Sequence, residues 1–107
     1  MSLDVYLEVM KPTEVFSANI THNLNKMAEA AGIYKHLWYP EELGITKAGE
    51  LIAPLKLGYT AMKLNPDFYR KYEPENKWGT YDNFIPWLEK YIEACEQNPE
   101  ATVRIWR

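Results

Sequence analysis

The chain has 107 residues, 47% of them hydrophobic and 25% charged, with a formal net charge of -3. That length suits a single domain, 1–107, able to bury a core without staples, and charges of both signs are mixed with no Lys/Arg run, which argues against duplex nucleic acid as a partner. Cys95 stands alone, so an intramolecular disulfide is excluded, and no apolar stretch approaches the roughly 20 residues that span a bilayer.

The opening MSLDVYLEV has neither a basic leader region nor a long apolar run, so a cytoplasmic protein is expected. Residues 3–10 alternate strictly: Leu3, Val5, Leu7 and Val9 face one way, Asp4, Tyr6 and Glu8 the other. That period of two predicts a half-buried strand. A turn at KPT, with Pro12 fixing its own φ, leads into EVFSANI, a second strand and so a hairpin. Phe16, Ala18 and Ile20 join the core face; Val15, Ser17 and Asn19 take the other.

A helix is expected over 22–31, where Leu24, Met27, Ala28 and Ala31 form a stripe and Gly32 stands at the C′ position. Ile33, Leu37 and Trp38 suggest a short helix that Pro40 ends. Thr46 caps a long helix over about 47–64, marked by Leu51, Leu55, Tyr59 and Met62, and Pro54 is expected to kink or break it. DFYRKY reads as one helical turn and EPENKWGT as a loop. The clearest helix starts near Asp82, with Tyr81, Phe84, Ile85, Leu88, Ile92 and Cys95 on one stripe, and stops at Asn98-Pro99. ATVRIWR alternates again as a third strand, Ala101, Val103 and Ile105 against Thr102, Arg104 and Trp106. The sum is an α+β domain: a small three-stranded, mostly antiparallel sheet, its last strand beside its first, covered on one face by about three to four helices.

Three places can carry chemistry. SANITHNL joins a strand to a helix start, where Asn19, Thr21, His22 and Asn23 serve either as caps or as readers of an anion at the positive helix end. The polar sheet face gathers Asp4, Tyr6, Glu8, Ser17, Asn19, Thr102, Arg104 and Trp106, either solvated or as a surface where Arg104 binds an anion and Tyr6 or Trp106 stacks a ring. The third is aromatic: HLWYP and KWGTYDN, where Gly79 permits a turn that exposes Trp78. Metal binding is not expected, since His22 and His36 are far apart and no ligand motif is present. No cofactor motif or hydrolase motif appears either.

SANITHNLNKMAEAAGIYKHLWYPEELGI, KWGTYDNFIPWLEKYIEAC and PEATVRIWR resemble small proteins of bacterial and bacteriophage genomes, an uncharacterised family with no assigned activity. The resemblance implies a cytoplasmic protein of bacteria or their phages and supplies no catalytic residue. Together these readings predict a small non-enzymatic binding protein, blocking a host protein or sequestering a nucleotide-like anion through Asn19, Thr21, His22, Asn23, Arg104 and Trp78. The alternatives are a small enzyme on a phosphorylated substrate with His22 as acid or base, and an assembly module forming a homodimer.

Overall fold

The computed structural model describes residues 2–10, 13–76 and 78–107. The two alternating runs pair as an antiparallel hairpin, β1 (Ser2–Met10) and β2 (Thr13–Thr21), and β3 (Thr102–Trp106) lies antiparallel on the other side of β1. The order is therefore β2-β1-β3, with the last strand beside the first as expected. The turn predicted at Lys11 and Pro12 lies outside the described residues.

Leu3, Val5 and Leu7 are fully buried, but Val9 is 54% exposed, against the expectation that it joins the core. The reason is a loss of register: pairing with β2 shifts between Leu7 and Glu8 and again between Glu8 and Met10. Each strand carries an extra residue near the hairpin tip, Val15 in β2 and Val9 in β1, and both are exposed. An irregularity of this kind re-aims side chains, so period-two reading fails beyond it.

The predicted helix over 22–31 divides. His22–Leu24 form a 3₁₀ turn and α1 runs only over Asn25–Ala30, ended by Gly32 at φ +78°. α2 (Tyr34–Trp38) and a 3₁₀ turn at Pro40–Leu43 follow, burying Ile33, Leu37 and Trp38. α3 (Gly49–Leu64) runs through Pro54 without a break. Thr46 does not cap it directly; Glu50 reaches back instead to accept from the N–H groups of Thr46 (3.1 Å) and Lys47 (2.9 Å). Those two bonds hold the Glu50 carboxyl below its ordinary range. α4 (Pro66–Arg70) is the expected short turn.

α5 (Tyr81–Gln97) is capped by Thr80, whose hydroxyl accepts from Asn83 N at 3.2 Å. It buries Phe84, Leu88, Tyr91 and Cys95 along one face, and the Tyr91 ring stacks on Phe16 of β2 at 5.9 Å. α3 packs beside it, pinned by Gly49 N to Pro99 O and Ala48 N to Ala101 O, so the start of α3 and the entry to β3 form one joint. Helices on one face of an antiparallel sheet make this an α+β fold.

Burial, with Glu96 adding to it, pushes the Cys95 thiol up to about 12. We expect a thiol reagent at neutral pH to label Cys95 no faster than the chain unfolds; fast native labelling would contradict this placement. The same shift has a sign for stability. The unfolded thiol ionises in its ordinary range while the folded one keeps its proton, so stability falls as pH rises toward 12.

Candidate functional site

Strand alternation sets Ser2, Asp4, Tyr6 and Glu8 on the face opposite the core, with Ser17, Asn19 and Thr21 on one side and Thr102, Arg104 and Trp106 on the other. Ser17, Asn19, Thr102, Arg104 and Trp106 are all exposed, so this face is open to solvent. Its rows follow the register: Asn19–Asp4–Trp106 and Ser17–Tyr6–Arg104 lie straight across the three strands.

Arg104 is the ordered centre of the face. Its guanidinium lies 4.0 Å from the Tyr6 ring centroid, and its Nε donates to Glu8 Oε2 at 3.0 Å. Glu8 is only 8% exposed, the one buried charged residue among those described. A carboxylate so placed needs its partner, and it holds Arg104 over Tyr6. The Nη donors of Arg104 have no partner among the described residues. Trp106, two residues on and pointing the same way, is 62% exposed. The result is a held guanidinium on the same strand face as an exposed indole.

This ion pair makes a stability prediction. Arg104→Ala should cost about 1–2 kcal/mol, below the value for a fully buried pair because the Arg104 side chain is 44% exposed. Glu8→Gln in the same background should recover part of that loss, which denaturant titration would detect.

At the strand–helix junction the four polar residues turn to different neighbours. Asn19 Nδ2 donates to Asp4 Oδ1 (2.6 Å) and Ser2 Oγ (3.0 Å), so it belongs to the sheet face. Thr21 Oγ1 accepts from Asn23 N at 3.3 Å, a capping bond. His22 turns to the core side, where its Nδ1 accepts from Trp38 Nε1 at 2.9 Å and its ring meets the indole edge-on. Asn23 lines a cleft of about 560 Å³ together with Lys26 of α1 and Lys71, Tyr72 and Glu73. α1 is short and follows a 3₁₀ turn, so it offers no long helix dipole to an anion.

Trp78 is 69% exposed and its N–H bonds to Asn76 Oδ1 at 2.9 Å. Next to it, Gly79 at φ +98° packs so closely on Thr21 and Leu24 that a Cβ would lie 2.6 Å from Thr21 Cγ2. The loop of Trp78 is thereby fixed at the Thr21 end of the sheet. Of the six residues singled out from the sequence, Asn19, Thr21 and Arg104 share the open face and Trp78 borders it; His22 and Asn23 point elsewhere. Alternation places Glu8 on this face, but its burial and its bond to Arg104 have no sequence signal. The Lys26–Lys71 cleft was not anticipated, because its walls come from segments far apart in the chain.

Among the described residues, no group of three or more His, Cys, Asp or Glu side chains stands close enough to hold a metal ion. Burial pushes the His36 imidazole below its ordinary value, and its Nδ1 is buried without a partner among the described residues. No described helix is long and apolar enough to cross a membrane. Set against known protein families, curated proteins and solved structures, the chain matches none of them.

Proposed function

We propose that this is a small non-enzymatic binding protein, cytoplasmic and of bacterial or phage origin, whose open sheet face engages a carboxylate-bearing patch on a protein partner. The observation that carries the reading is Arg104, held by the Tyr6 ring and buried Glu8, its Nη donors without a partner among the described residues, with exposed Trp106 on the same strand face. Arg and Trp are the side chains that most often dominate protein interfaces, and a pre-ordered Arg binds with less entropy loss than a free one. Two parallel N–H donors match a carboxylate. The residues assigned to the contact are Arg104, Trp106 and Tyr6, with Asn19, Thr21 and Trp78 at its edge. This reading makes the target a protein that the chain blocks or sequesters. His22, engaged with Trp38, is left a structural role rather than that of an acid or base.

The test is photo-crosslinking in bacterial cells. A photoreactive phenylalanine analogue replaces Trp106 in one preparation and Lys90, on the outer side of α5, in another. A discrete protein adduct only at position 106 supports the reading. No adduct at 106, or the same adducts at both positions, overturns it.

A further inference from the structure

α3 is satisfied on one side, where Leu51, Leu55, Gly58 and Met62 are buried, yet it carries a second apolar row on the other. Leu57 and Leu64 are 78% and 73% exposed, the most exposed large hydrophobic residues among those described. Seven residues apart, they stand on one line of the helix about 10 Å from each other. Ala61 lies between them, Ala53 one turn before and Thr60 alongside, so the middle of the row is small and uncharged. Lys56 and Lys63 sit together on one flank. Ala61 touches the edge of the core, but packing within the monomer gives Leu57 and Leu64 no purpose, and the row is separate from the open sheet face.

We infer that the row is the contact between two copies of this chain, with their α3 helices antiparallel about a two-fold axis between Thr60 and Ala61. The pairing is self-complementary: Leu57 of each copy meets Leu64 of the other. Thr60 and Ala61 at the centre let the helix axes approach to about 8 Å. The flanks fit as well. In an antiparallel pair each flank meets its own copy, so Lys63 comes beside the Lys56–Glu96 ion pair of the second molecule. Lys63 has no ion-pair partner among the described residues, and Glu93 and Glu96 of α5 line that same edge with Lys56. A contact along one helix of about 24 Å is at the small end for stable association, so the dimer forms at micromolar rather than nanomolar concentration.

Sedimentation velocity on the full chain, from about 1 to 500 μM, tests this directly. The sedimentation coefficient should rise from monomer to dimer across the series. Leu57→Asp and Leu64→Asp should each raise the dissociation constant at least about tenfold while leaving the circular dichroism spectrum unchanged. Ala61→Cys should yield a disulfide-linked dimer under mild oxidation, because Cys95 is buried and does not compete. A monomer at every concentration overturns the inference. So does a dimer that Leu57→Asp leaves intact or that Trp106→Ala abolishes, since the contact would then lie elsewhere.

Discussion

Gly79→Ala should destabilise the protein by about 2–4 kcal/mol, lowering the melting temperature by roughly 10–20 °C. Two causes add. At φ +98° an L side chain is strained wherever it points. The new methyl would also stand 2.6 Å from Thr21 Cγ2 and 2.9 Å from Leu24 Cγ, so the loop must lift off the strand–helix junction. Gly44→Ala separates the two causes, because Gly44 has φ +72° with nothing within 4 Å of the added carbon. It should cost about 1 kcal/mol, from backbone strain alone. Equal losses in the two variants would mean that the Trp78 loop does not press on Thr21.

Trp38→Ala should cost about 3–5 kcal/mol, the largest single-residue effect in the molecule. The indole is fully buried, stacked on Tyr34 at 5.3 Å, and bonded through Nε1 to His22. Its carbonyl also accepts from Arg107 Nη1 at 2.7 Å, so α2 ties the junction to the end of the chain. Trp38→Phe keeps most of the ring volume and loses the donor. Combined with His22→Ala in a double-mutant cycle, it should show a coupling of about 0.5–1.5 kcal/mol. A coupling near zero would free His22 for another role. Accepting at Nδ1 requires that nitrogen to be unprotonated, so in this arrangement any proton on a neutral ring sits on Nε2.

The sequence was most legible where one period ran without interruption. The α5 stripe from Tyr81 to Cys95 is buried as read, and the two ends of the chain pair as β1 and β3. Legibility failed where a local irregularity intervened. Alternation places Val9 inside, but two register shifts put it in solvent. SANITHNL reads first as a set of helix caps and only second as an anion pocket. Nothing in that stretch signals that Trp38, sixteen residues beyond His22, donates to its Nδ1. Glu8 is an ordinary polar-face residue in the sequence; only the strand order puts Arg104 across from Tyr6 and over its carboxylate. Residues linked by topology rather than spacing leave no pattern in a single sequence.

The most direct test of the proposed sheet-face contact is native mass spectrometry of the protein purified gently from bacterial cells, wild type beside Trp106→Ala. A protein adduct is expected on the wild type and is lost in the variant, which keeps its fold. A retained small molecule present on both, and lost instead in Lys26→Ala or Lys71→Ala, would contradict it and move the site to the cleft between α1 and the segment after α4.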